Sequence, residues 1–441
     1  MKRLRGLKSL VHDAVDRTVE LVREGHESSS RGVLRITDMT PIAAPARTVD
    51  AVRRLGTDSV LAAIKLVNRG VEAVTDVGLD VVERARPAEL PALVPAVPMR
   101  SDALTSAAWV EDAAVALVNA AIGDTLGRRG NGLDEGMLLR AGDHYVAPED
   151  VRMALSRPAR RTVLFVHGLG TTEWSWCLEA HAYHGDPGAT FGSLLERDLG
   201  VTPLWVRYNT GRHISENGRA LAALLERLVP AYPGGLEELV LVGHSMGGLV
   251  IRSACHQASE QRMGWLGALR RVFCLGSPHR GAPLEKAGNV LTGVLGAIDH
   301  PATLIPARLL RARSSGIKDL RHGSLVDADW LGRDPDALLD DGARAAVPLL
   351  SEVAYHFVSS TVTEDPEHPL GQLVGDLLVR VPSASGPVVS EGHFAIDTRR
   401  FGGVLHHHLQ NHPAVYEVIR DALAEGAAPV PAAPERAKSG P

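Results

Sequence analysis

Cysteine is the scarcest informative residue in this chain of 441 residues: only Cys177, Cys255 and Cys274 occur. They are odd in number, widely spaced and form no C-x-x-C pair, which excludes a disulfide scaffold and a thiolate zinc site. Aromatic residues make up only 4% of the chain, which argues against a platform for stacking single-stranded bases. Lysine is confined to Lys2, Lys8, Lys65, Lys286, Lys318 and Lys438, so arginine carries most of the positive charge. With 47 basic against 52 acidic residues the net charge is −5, and the basic footprint of a nucleic-acid partner is missing. No apolar run is long enough to span a bilayer. The basic start at Lys2, Arg3, Arg5 and Lys8 is not followed by a continuous apolar run, so no signal peptide is read and a cytoplasmic location is expected.

What the chain does have is 45% hydrophobic residues, enough for a large folded core. Its length allows two domains, or one large α/β domain with insertions. Residues 1–100 read as a helical extension. Leu4, Leu7, Val11, Val15 and Val22 recur at helical spacing, as do Val60, Ile64, Val67, Val71, Val74 and Val81. Pro87, Pro91, Pro95 and Pro98 mark 86–100 as a stiff linker. A helix from Ser101 follows. From about Met137, short apolar runs alternate with helical patterns: 161–167, 202–208, 238–243, 271–276 and 355–362, then segments near 377–381 and 387–396. That alternation predicts a mostly parallel sheet with helices on both faces, built from 101–282 and 351–425. Residues 413–424 read as the last helix, and the Ala/Pro-rich stretch 426–441 as a disordered tail.

Gly243-His244-Ser245-Met246-Gly247 is a G-x-S-x-G segment with an apolar strand before it and a helical pattern after it. A serine on a strained strand-to-helix turn needs small neighbours, and its hydroxyl is pushed outward at a helix N-terminus. A Gly-rich βα turn with an incidental serine is the plain alternative. A serine hydroxyl needs a base and an orienting acid, which on such an architecture follow it in the order acid, then histidine. Asp376 lies beside the apolar 377–381 run and is preferred to Asp365, which sits in a polar stretch. His406-His407-His408 occupy the place before the last helix, with His406 first choice and His407 second. Adjacent side chains diverge, so a metal cluster is not read there. The backbone N–H of Met246 is one expected oxyanion donor. The other is that of Leu169, in the His167-Gly168-Leu169-Gly170 turn after an early strand.

These segments resemble the α/β-hydrolase lipases and esterases, and more narrowly a bacterial branch akin to GPI inositol-deacylases. The matching stretches are VHGLGT (166–171), RYNTGRHIS (207–215), LVGHSMGGLV (241–250), LGSPHRGAPLEKAG (275–288), VGDLLVRVPSA (374–384) and HHHLQNHPAVY (406–416). They span somewhat over half the chain, and the serine turn and SPHRGAP are the most specific. The resemblance implies an α/β-hydrolase fold and maps the family's aspartate onto Asp376 and its His-x-x-Leu onto His406 with Leu409. Leu377 replaces the usual glycine after the aspartate. Eukaryotic inositol deacylases are membrane-embedded, so their particular substrate is not carried over; lipid-like or polyester-like esters are what the resemblance implies.

Residues 283–350 interrupt the sheet pattern where such hydrolases place a lid. Val290, Leu291, Val294, Leu295 and Ile298 form one apolar helical face, so Leu291 and Leu295 are candidate substrate contacts; an insertion that merely packs is the alternative. Trp174 and Trp176 either line the cleft or anchor the preceding loop in the core. His181, His184 and Asp186 have ligand-like spacing without a visible fourth ligand, so no metal is assigned. The basic amphipathic start allows contact with a lipid interface, although packing against protein is preferred. The resulting expectation is a serine carboxylic-ester hydrolase working through an acyl-enzyme, without cofactor. The alternatives are an acyltransferase using the same triad and a noncatalytic lipid-binding or scaffold protein. Oligomeric state is unreadable.

Overall fold

Val163-Leu164-Phe165-Val166 shows why the central strands are continuously apolar. Val163 and Phe165 point into one buried cluster, Leu164 and Val166 into another, and all four are 0% exposed. A strand covered on both faces has no solvent side, so the polar alternation of a half-exposed strand disappears. The computed structural model describes residues 2–3, 5–9, 13, 93–103, 106–155, 158–281, 314–333, 344–368, 376, 379, 383 and 396–425.

The chain divides into two units. One comprises Met1–Leu90 with Arg128–Leu133. In it residues 5–9 are helical, the Asn131 amide donates to the Gly6 carbonyl at 3.1 Å, and Arg129 pairs with Asp13. The other comprises Pro91–Gly127 with Asp134–Pro441 and holds a nine-stranded sheet. Its strands are β1 (Leu93–Pro95), β2 (Leu138–Ala141), β3 (His144–Val146), β4 (Arg161–Val166), β5 (Thr202–Arg207), β6 (Glu238–His244), β7 (Leu269–Leu275), β8 (Ala354–Thr361) and β9 (Ile396–Gly402). They run in the order β1-β3-β2-β5-β4-β6-β7-β8-β9. The last six are parallel, and β2 joins β5 antiparallel.

The α-helices that accompany the sheet are α1 (Ala107–Arg128), α2 (Ala180–His184), α3 (Phe191–Leu199), α4 (Ile214–Ala231), α5 (Met246–Gln261), α6 (Ser315–His322) and α7 (Pro413–Ala424). Helices α4 and α5 pack Leu221, Leu225, Leu249 and Ile251 against Leu164, Val166 and Leu241 on one face. On the other, Phe191 and Leu195 of α3 and Val415 and Ile419 of α7 pack against Phe165, Val242 and Phe273. Each such apolar side chain contributes about 1.5–3 kcal/mol when fully buried.

Three expectations meet the structure as follows. Within 86–100, read as a linker, Leu93–Pro95 form an edge strand on β3, a place where proline is tolerated because no partner needs its missing N–H. Of the segment expected at 387–396, residues 387–395 lie outside the described residues, and the strand β9 at Ile396–Gly402 was not expected. Of the 283–350 insertion, residues 314–333 pack onto the sheet-bearing unit: Ser314 Oγ donates to the Ala120 carbonyl at 2.6 Å and Ser253 Oγ to that of Leu325 at 2.6 Å. Leu291, Leu295, the rest of that lid face, residues 14–92 and the tail 426–441 lie outside the described residues.

Candidate active site

The register Val166↔Gly243↔Cys274 aligns β4, β6 and β7, so their C-terminal ends share one edge of the sheet. Ser245 follows β6 at that edge, with φ 53° and ψ −121°. Positive φ at a non-glycine residue costs roughly 1–3 kcal/mol and persists where the surroundings over-determine it. Its amide donates to the Leu275 carbonyl at 2.8 Å, and its carbonyl accepts from Gly248 N at 3.2 Å. The flanking glycines are required by packing: a methyl group at Gly247 would lie 2.2 Å from the Val166 carbonyl oxygen, and one at Gly243 2.5 Å from Gly248 N.

The far end of the chain brings the other two groups. His406 opens a short 3-10 helix, His406–Gln410, directly before α7. It is 3% exposed, and its Nδ1 lies 2.7 Å from Asp376 Oδ2. The second oxygen of Asp376 accepts from Val379 N at 2.8 Å, and Asp376 N donates back to the Val379 carbonyl at 3.3 Å, closing a turn around the buried carboxylate. Both oxygens are thus engaged before any proton moves. Asp365 is exposed and spends its Oδ1 on Glu367 N in its own turn. Among the three histidines, His408 Nδ1 lies 2.8 Å from the Tyr183 hydroxyl, and burial pushes the pKa of His407 down to about 4. The His406 ring packs where Gly276 leaves room: a methyl group there would lie 3.0 Å from His406 Cε1, and Gly276 holds φ +62°.

Gly168 sits against the same edge, its missing methyl 3.1 Å from both His244 Nδ1 and Ser245 Cβ. Leu169 follows, 4% exposed, and Met246 is 0% exposed at the first position of α5. No other described residue accepts from either amide. The turn is held from behind. Gly170 N donates to Thr210 Oγ1 at 3.2 Å and Thr171 Oγ1 to the Gly168 carbonyl at 3.0 Å. His167 Nδ1 lies 2.9 Å from the Gly168 carbonyl, and its Nε2 accepts from Tyr208 N at 3.4 Å, which fixes the neutral Nδ1–H form. Burial lowers its pKa to about 4.

A group that sequence reasoning missed lies behind this loop. Glu173, 0% exposed, accepts from Arg207 through both oxygens at 2.9 Å, from Arg140 at 3.3 Å and from the Tyr145 hydroxyl at 2.5 Å. Arg207 also grips Asp112 bidentately at 2.9 and 2.6 Å. Burial disfavours both charged forms, but the facing partners overcome it, so Glu173 is held below and Arg207 above its ordinary pKa. The only signal in the sequence is a carboxylate inside the aromatic stretch Glu173-Trp174-Ser175-Trp176.

Trp174 and Trp176 are corrected from cleft to core. They are 1% and 0% exposed; Trp174 meets Trp109 edge-on at 4.6 Å, and Trp176 meets Phe165 at 4.9 Å. Their size pays best where it displaces most water, which is the interior. His184 Nε2 lies 3.0 Å from the Asn411 carbonyl, and among the described residues no three His, Cys, Asp or Glu side chains converge as a metal site would need.

Residues 157–330 match the family model described as a PGAP1-like alpha/beta domain. Comparison with curated proteins gives no match. Among solved structures, the chain is similar to the mature Bacillus licheniformis lipase BlEst2 (15% identity, 61% of this chain and 95% of that one, TM-score 0.37). A Listeria innocua gene product is similar too (12% identity, 62% and 96%, TM-score 0.34), as is a thermophilic esterase from Thermogutta terrifontis (14% identity, 61% and 91%, TM-score 0.32). The parallel sheet, its helices on both faces and the serine turn at the C-terminal edge have the α/β-hydrolase fold.

Proposed function

We propose that the chain is a serine carboxylic-ester hydrolase. The observation that carries the reading is the buried His406–Asp376 pair at 2.7 Å, delivered to the sheet edge that bears Ser245. In this reading Ser245 attacks the ester carbonyl while His406 takes its proton, and Asp376 holds the imidazole and stabilises its charged form. The N–H groups of Leu169 and Met246 receive the developing oxyanion. Proton return to the leaving alcohol gives the acyl-enzyme, and water repeats the cycle. None of these steps needs a cofactor. Lipid-like or polyester-like esters are the substrate class proposed, on the strength of the resemblance alone.

A fluorophosphonate probe tests the nucleophile. Wild type is expected to be labelled and to hydrolyse nitrophenyl esters; Ser245→Ala is expected to lose both. A folded wild type that takes no label, or an alanine variant labelled equally, refutes the assignment. A series of nitrophenyl chain lengths with a triglyceride and a polyester emulsion then sorts the substrate class.

A further inference from the structure

His244 ends β6 one residue before Ser245 and is 4% exposed. A fully apolar strand end would bury at less cost than an imidazole, so a polar ring here needs a reason. Its Nε2 lies 3.1 Å from the backbone carbonyl oxygen of His406, across 162 residues of sequence. A carbonyl only accepts, so Nε2 carries the proton and donates. The two rings also touch, with centroids 4.7 Å apart. The opposite edge of the His244 ring, Nδ1, lies beside Gly168 in the turn that carries Leu169, and among the described residues it has no hydrogen-bond partner. Burial, then the neighbouring His406, keep this ring well below the ordinary histidine pKa, so the neutral donor form persists at neutral pH.

We propose that His244 is a positioning residue, donating from Nε2 to the His406 carbonyl so that the backbone of the base is fixed to the strand that presents the nucleophile; this rests on the ester-hydrolase reading above. Asp376 orients the ring of His406, whereas His244 holds the main chain from which that ring hangs. Without the second anchor the ring can keep its aspartate and still shift as a unit away from Ser245. A displacement of about 1 Å at a reacting group costs on the order of 10²-fold in rate.

Four proteins test this: wild type, His244→Gln, His244→Asn and His244→Phe. Glutamine places an amide N–H near the position of Nε2; asparagine is too short, and phenylalanine keeps the ring volume without a donor. Glutamine is expected within about threefold of wild-type kcat, and asparagine and phenylalanine about 10- to 100-fold down with KM within twofold. Fluorophosphonate labelling rates are expected to fall in parallel. If phenylalanine does not fold, the glutamine–asparagine contrast decides. Equal kcat for asparagine and glutamine, or a loss appearing in KM instead of kcat, overturns the positioning role. Absence of labelling in folded wild type overturns the hydrolase reading and this proposal with it; a labelled wild type with a flat variant series overturns only the proposal.

Discussion

At the scale of single residues, the two candidate carboxylates differ in what surrounds each. Asp376 is 1% exposed, with one oxygen on His406 Nδ1 and the other on Val379 N. Asp365 faces solvent. Asp376→Asn is therefore expected to lower kcat by about 10³- to 10⁴-fold, because an amide favours the wrong imidazole tautomer. Asp365→Asn is expected to leave kcat within twofold. Steady-state kinetics on a nitrophenyl ester checks both, and an inverted order sinks the triad. The preference for Asp376 was already legible, because the position beside an apolar run is a property of sequence. The choice of His406 over His407 was only half legible: three adjacent histidines differ in environment, not in spelling. Here the 3-10 turn at 406–410 separates them, sending His406 to Asp376 and His408 to Tyr183.

At the scale of elements, the sheet divides into strands that announce themselves and strands that do not. β4 to β8 are largely buried, and each carries an apolar run in the sequence, such as Val163–Val166, Leu239–Val242 and Val272–Leu275. β1 and β3 are three residues long, and β9 carries Asp397, Arg399 and Arg400; neither short nor charged strands leave a hydrophobic trace. The Asp112–Arg207–Glu173–Arg140 group was illegible for another reason, since its members sit on α1, β5, the 173–177 turn and β2 and meet only after folding. Arg207→Met is expected to cost about 3 kcal/mol, because it removes the cation shared by two buried carboxylates, although Glu173 keeps Arg140 and Tyr145. Arg207→Lys is expected to recover only part of that, as an ammonium cannot grip two carboxylates through paired N–H groups. Urea denaturation measures the cost; a methionine variant within about 1 kcal/mol of wild type would show that these ions contribute little.

At the scale of the whole molecule, several buried histidines titrate on the same side of neutrality. Burial lowers His167 from 6.5 to about 4, lowers His407 in the same way, and holds His244 and His279 well below the ordinary value. Between about pH 6.5 and 4 the unfolded chain binds protons that the folded chain refuses, so stability falls as pH drops through that window and levels off below it for His167. For His167 alone the loss amounts to about 3 kcal/mol. The urea midpoint is expected to decline steeply from pH 7 to pH 4.5, with a shallower slope in His167→Gln. A midpoint flat across that range would contradict these ring environments.

Both margins of the nine-stranded sheet bear on how copies of the chain meet one another. One margin is β1, three residues ending at Pro95, which offers little ladder and lacks an N–H where the next strand would bind. The other is β9, whose Asp397, Arg399 and Arg400 stud its length with charge. Exposed strand margins template aggregation through edge-to-edge pairing, and brevity, proline and charge are the means by which natural sheets refuse it. Among the described residues, the two outermost strands of this sheet are poor places for another backbone to attach.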